Sequence, residues 1–86
     1  MPVISSFYGI TVKMYYNDHP PPHFHAEYGE NEVVIQISPV KLLLGSAPKR
    51  VCSMIFEWSG LHQEELNDNW GRARRGEVLL PIDPLE

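Results

Sequence analysis

The chain has 86 residues, a single cysteine, and 7 basic against 11 acidic side chains, for a formal net charge of −4. That length supports one small core, the lone Cys52 excludes an internal disulfide framework, and the acidic balance argues against a domain that grips nucleic acid mainly through its phosphates. Lys13, Lys41, Lys49, Arg50 and Glu57 interrupt every apolar run short of the roughly 18 residues that span a bilayer, and residues 1–7 lack the pattern of a secretory leader, so a soluble protein of the reducing cytoplasm with no membrane partner is expected.

Along the chain, residues 9–16 set Ile10, Val12, Met14 and Tyr16 against Thr11, Lys13 and Tyr15, the period of two that predicts a half-buried strand. Asn17 and Asp18 open a loop stiffened by Pro20, Pro21 and Pro22, whose rings fix φ and remove backbone donors. Alternation resumes over 23–28, with Phe24, Ala26 and Tyr28 on one face and His23, His25 and Glu27 on the other. Gly29-Glu30-Asn31 reads as a hairpin connection to a third strand over 32–37, carrying Val33, Ile35 and Ile37 on one side. Ser38-Pro39 stops it, and 40–44 reads as a short fourth strand ended by Gly45.

From Ser46 the period changes. Val51, Ile55, Trp58, His62, Leu66, Trp70 and Ala73 recur at steps of three and four, which predicts one long amphipathic helix over about 47–75. Ser46 is the expected N-cap, with Pro48 in the first turn, and Gly76 the expected left-handed C-terminal cap after Arg72, Arg74 and Arg75. Gly60, Gly71 and the run Asn67-Asp68-Asn69 are weak helix formers and mark where a kink would fall. Residues 76–86, with Pro81 and Pro84, read as an extended tail. The expected fold is therefore α+β: a single domain over 1–86, with an antiparallel sheet of three to four strands over about 8–45 followed by one long helix packed on it.

Function concentrates in the stretch His19-Pro20-Pro21-Pro22-His23-Phe24-His25, which holds three of the four histidines. Histidine serves as acid, base, metal ligand or cation near neutral pH. His23 and His25 lie two apart on a strand, so their Cα atoms are roughly 6.5 Å apart and their side chains leave one face. That spacing suits an acid and base pair, or two metal ligands with Glu27 as a third on the same face. An exposed or structurally bonded role is the bland alternative. Extended polyproline would carry His19 roughly 12 Å from His23, outside such a cluster. His62 sits on the helix stripe beside Trp58 and Leu66, where a hydrogen-bonded core imidazole competes with a catalytic role. Lys49, Arg50, Arg72, Arg74 and Arg75 mark the two helix ends; they complement the helix dipole or supply a patch for phosphate or an acidic partner.

The loop His19 to Ala26, the strand end Tyr28-Gly29, Glu57-Trp58 with Leu61-His62, and Asn69-Trp70 resemble a bacterial family, domain of unknown function 4160, over about residues 8–85. The resemblance places the family's signature on His19, Pro20, Pro22, His23, His25, Trp58, His62 and Trp70, and the chain departs from the family's pattern at Gly60 and Gly71. It implies a small cytoplasmic protein encoded beside a second small protein, the toxin-like component of a toxin-antitoxin pair neutralised by its partner. It carries no mechanism. From the residues, the most economical chemistry is RNA cleavage, with His23, His25 and His62 as acid and base groups and His19, Pro20, Pro22, Glu27, Lys49, Arg50, Arg72, Arg74 and Arg75 as binding groups. The competing expectations are a non-catalytic module that docks a protein through the proline loop and sheet edge, and a metal-binding protein using His23, His25 and Glu27. No DNA contact and no obligatory cofactor are expected.

Overall fold

Tyr8 and Gly9 both take positive φ, 50° and 80°, the two-residue turn whose twist matches a strand pair. They join β1 (Val3–Phe7) to β2 (Ile10–Lys13) in a computed structural model that describes residues 2–86. β3 (His23–Tyr28), β4 (Asn31–Gln36) and β5 (Lys41–Gly45) follow, and neighbours in sequence are neighbours in the sheet, β1 to β5, all antiparallel. The Pro20–Pro21 and Ser38–Pro39 peptides are cis. Gly45, at φ 89°, approaches β4 so closely that a Cβ there would overlap the Glu32 carbonyl oxygen. Only glycine fits that crossing.

The class α+β stands, but the element count expected from the sequence does not: the sheet has five strands, and two helices replace the single long one. β1 escaped detection because its ladder shifts register between Val3 and Ser5. Ile4 and Ser5 are both buried, so the strand lacks the clean alternation that reveals strands in sequence. The helical stripe is interrupted at His62, φ −122° and ψ 32°, which separates α1 (Lys49–Leu61) from α2 (Gln63–Arg74). There the Gln63 side-chain amide donates to the Ser59 carbonyl at 3.2 Å and to the Ile37 carbonyl. It satisfies a carbonyl at the end of α1 and ties the joint to the chain leaving β4. Both helices keep the predicted apolar face inward, Val51, Ile55 and Trp58 on one and Leu66, Trp70 and Ala73 on the other. A face that stays continuous through a one-residue break cannot report the break.

The caps also differ from expectation. Pro48, not Ser46, occupies the N-cap of α1, and no side chain caps it. At the other end Gly76 takes φ 73°, its N–H donates to Ala73 at 3.3 Å, and the Glu77 N–H donates to Arg72 at 2.8 Å, a paired C-terminal closure that requires the left-handed residue.

One apolar cluster joins the helices to a single face of the sheet. Trp58 is its centre, fully buried, with Phe7 and Phe24 ring centroids 5.4 and 5.7 Å away. Its indole N–H donates to the Asp83 carbonyl at 2.8 Å, anchoring the C-terminal segment. Asn69, buried in α2, grips the same segment with two bonds to the Leu80 backbone, 2.8 and 2.9 Å. The Ile82 N–H then donates to the Ile4 carbonyl at 2.8 Å, so the segment lies against β1 while Leu79 and Ile82 enter the core. The opposite face of the sheet carries the cross-strand rows Lys13, His25, Val34, Leu44 and Thr11, Glu27, Glu32. That face presents the β3 histidines.

Candidate metal centre

β3 alternates as its sequence dictates: Phe24 and Ala26 are buried in the core, which turns His23 and His25 to the other side. The loop before β3 then folds Asp18 over them. One carboxylate oxygen, Oδ2, lies 2.9 Å from His23 Nε2 and 3.3 Å from His25 Nε2. The other, Oδ1, accepts the His19 N–H at 3.3 Å. Potential ligand atoms of Asp18, His23 and His25 all fall within 4.8 Å of one another. His23 is 9% exposed and packs on Trp70, ring centroids 5.2 Å apart; the Tyr15 ring meets His25 edge-on at 4.5 Å. Helix α2 and the chain just after β2 thus hold the two imidazoles in place.

The far side of each ring decides what the near side can do. His23 Nδ1 lies 2.8 Å from the Pro21 carbonyl, which only accepts, so this nitrogen carries a proton. His25 Nδ1 lies 3.1 Å from Glu32 Oε2, also an acceptor when ionised. With both Nδ1 atoms donating, each neutral imidazole aims an Nε2 lone pair at the same Asp18 oxygen. Three lone-pair donors converge on one point, and that arrangement is favourable only around positive charge: two imidazolium protons, or one cation.

In the metal-free chain the positive charge is supplied by protonated imidazoles, and the Asp18 carboxyl responds to them. Burial pushes it up, but the hydrogen bond to His25, the charge and hydrogen bond of His23 and the His19 N–H outweigh burial and hold it below the usual aspartate value of 3.8.

The remaining residues singled out from sequence go elsewhere. Glu27 does not join the histidines: its carboxylate is held by Lys13, 3.1 Å away, and Asp18 takes the place expected for it. His62 sits at the α1–α2 joint, with Nδ1 2.5 Å from Glu65 Oε1 and its ring against Trp58. It borders a cavity of about 470 Å³ with Glu57, Asp83 and Glu86, away from the cluster. Pro22 accepts the Ile37 N–H at 3.0 Å, closing the base of the loop. Arg50 donates to the Tyr28 hydroxyl at 3.3 Å, and Lys49 opens α1. Arg72 pairs with Asp68 and Glu77, and Arg75 pairs with Glu77. His19 and Pro20 line an open cleft with Asn17, Asp18 and Arg74. Asp18 is the residue that sequence reasoning missed. Its sole signal is an acidic side chain at the mouth of a histidine-bearing loop.

The structure therefore defines a small α+β protein with an Asp and two His clustered at the start of β3. The family model described as Domain of unknown function (DUF4160) matches residues 9–71, well over half the chain and inclusive of all three cluster residues, and the chain belongs to that family. Searches of curated proteins and of solved structures returned no match. Among the described residues, no helix is long and apolar enough to cross a membrane.

Proposed function

We propose that Asp18, His23 and His25 bind one divalent transition-metal ion, and that this centre is the functional site. The observation that carries the reading is the orientation of the two imidazoles, each with an acceptor on Nδ1 and its Nε2 turned to the Asp18 carboxylate. Histidine ligands to metals characteristically donate their second nitrogen to a carbonyl or carboxylate, which fixes the tautomer. Ligand bonds of about 2.0–2.2 Å place neighbouring donors of a tetrahedral zinc site about 3.3 Å apart, close to the separations of 2.9 and 3.3 Å between Asp18 and the two histidines. Two imidazoles and a carboxylate suit zinc or iron(II) rather than calcium or magnesium. With Asp18, His23 and His25 as its three protein ligands, such an ion would have a position open to water, as catalytic rather than structural zinc does, and would supply the chemistry of a water ionising near neutral pH.

Equilibrium dialysis of the chain against zinc tests the reading. One zinc per chain is expected, with loss of that zinc in folded Asp18→Ala and His25→Ala variants. Uptake that survives both substitutions refutes it. The geometry favours this reading over RNA cleavage by the imidazoles alone, because both Nε2 atoms face a carboxylate of the same chain.

The partner-neutralised toxin draws support from a separate observation. The outer edge of β1 meets the C-terminal segment through the Ile82 bond to Ile4, whereas every residue of β5 is exposed, Leu42, Leu43 and Leu44 included. An apolar, unpaired edge is a template for strand addition by a small protein partner. Growth of cells expressing the parent or folded Asp18→Asn separates the possibilities. Arrest by the parent alone joins the toxin role to the metal centre, and growth unaffected by either removes the intrinsic-toxin role.

A further inference from the structure

Of the three arginines that close α2, two are held by carboxylates: Arg72 by Asp68 and Glu77, Arg75 by Glu77. Arg74 has no acidic partner among the described residues. Its Nη1 lies 3.4 Å from the Asp18 carbonyl, and it lines an open cleft of about 190 Å³ with Asn17, Asp18, His19 and Pro20. That volume matches roughly six waters at about 30 Å³ each, room for a small oxyanion. Three of the lining residues, Arg74, Asn17 and His19, carry side chains able to donate hydrogen bonds. Asp18 does not, and it is also the residue whose side chain faces the histidines. It stands between the cleft and the proposed metal.

We infer that this cleft binds the phosphoryl group of the substrate, with Arg74 gripping one oxygen edge while another oxygen reaches the metal past Asp18. The inference rests on the metal reading and names the substrate class of that centre. A phosphoryl group fits because its oxygens are not coplanar, so it can face an arginine fork and a metal in different directions. A carboxylate has two oxygens in one plane. Charge gives the inference a second consequence. Without metal, the Asp18 and Glu32 carboxylates outweigh Arg74 and repel an anion; a divalent cation between Asp18 and the imidazoles cancels both carboxylates and leaves the Arg74 charge in excess. Phosphate and metal therefore bind cooperatively, each strengthening the other by the same factor.

The test uses the full chain loaded with cobalt(II) in place of zinc and freed of excess metal, titrated with inorganic phosphate and, in parallel, acetate. The visible absorption of the cobalt reports entry of an oxyanion into its coordination sphere. Saturable change with phosphate is expected, weakened roughly tenfold to hundredfold in Arg74→Gln, the range for loss of a charge-assisted hydrogen bond, with cobalt affinity unchanged. Arg74→Lys falls between, because it keeps the charge and loses the fork. Equal phosphate affinity in Arg74→Gln, or acetate binding as tightly as phosphate, overturns the inference and leaves the metal reading standing. A chain that takes up no cobalt defeats both.

Discussion

Replacing Asp18 with asparagine separates a metal centre from a structural ion pair. The substitution preserves shape and removes charge. The new carboxamide can keep its oxygen on the His19 N–H, where Asp18 Oδ1 now accepts at 3.3 Å, and turn its NH₂ toward the two Nε2 atoms, 2.9 and 3.3 Å from the present Oδ2. Each imidazole already donates from Nδ1, so each then gains a donor for its lone pair. At about pH 8.5, where free imidazole is neutral, the metal-free variant is expected within about 0.5 kcal/mol of the parent or slightly above it, because a convergence of acceptors has been replaced by donor and acceptor pairs. If the Asp18 interactions exist for stability, the same change removes hydrogen bonds to a charged partner and costs about 1.5–3 kcal/mol. Urea unfolding in the presence of a chelator reads this difference. Zinc affinity, from competition with a chromophoric chelator, is expected to fall at least about a hundredfold, beyond the tenfold to hundredfold typical of groups that merely orient a ligand. A variant that is clearly destabilised and binds zinc as well as the parent refutes the reasoning on both counts.

Three further outcomes follow from the same contacts. Glu32→Gln retains an acceptor for His25 Nδ1 but loses the charge that orients the ring at 3.1 Å; zinc affinity should drop roughly tenfold with metal-free stability unchanged, as chelator competition and thermal melts will show. Asn69→Ala breaks both bonds that hold the Leu80 backbone and should cost about 2–3 kcal/mol in urea unfolding, with increased proteolysis near residue 80 and zinc binding intact. Glu77 is held below its ordinary value of 4.5, chiefly by the Arg75 hydrogen bond; a depressed carboxylate stabilises the fold above its unfolded value and ceases to do so as pH falls through the folded one. The stability difference between parent and Glu77→Gln should thus be fullest above pH 4.5 and close below it; a difference that widens on acidification would contradict the assignment.

Much of this architecture is legible in the sequence, and the gaps have physical causes. β3 falls at residues 23–28 as read, because a strict period of two with aromatic and histidine residues leaves one register for burial. The apolar stripe of the helices is equally plain. Gly60 marks a weak point two residues before the break at His62, but Gly71 and Asn67-Asp68-Asn69 mark others equally, and what selects His62 is the Gln63 amide reaching Ser59 and a carbonyl beyond β4, a tertiary contact without a local signature. The strand at 3–7 is obscured by its bulge. At the site, the histidine pair announces itself through spacing, but its third member does not. Glu27 has the right face, yet Lys13 on the adjacent strand claims it. Asp18 lies in a loop whose path the sequence leaves open, and only the folded loop brings it onto the imidazoles.

X-ray absorption at the zinc edge of the loaded protein reads the metal's ligands themselves. Two imidazole nitrogens and a carboxylate oxygen at about 2.0–2.2 Å, with one imidazole lost in His23→Ala, is the predicted spectrum. A shell of oxygen ligands alone, or one unaltered by that substitution, would show that the cluster at Asp18, His23 and His25 is not where the metal sits.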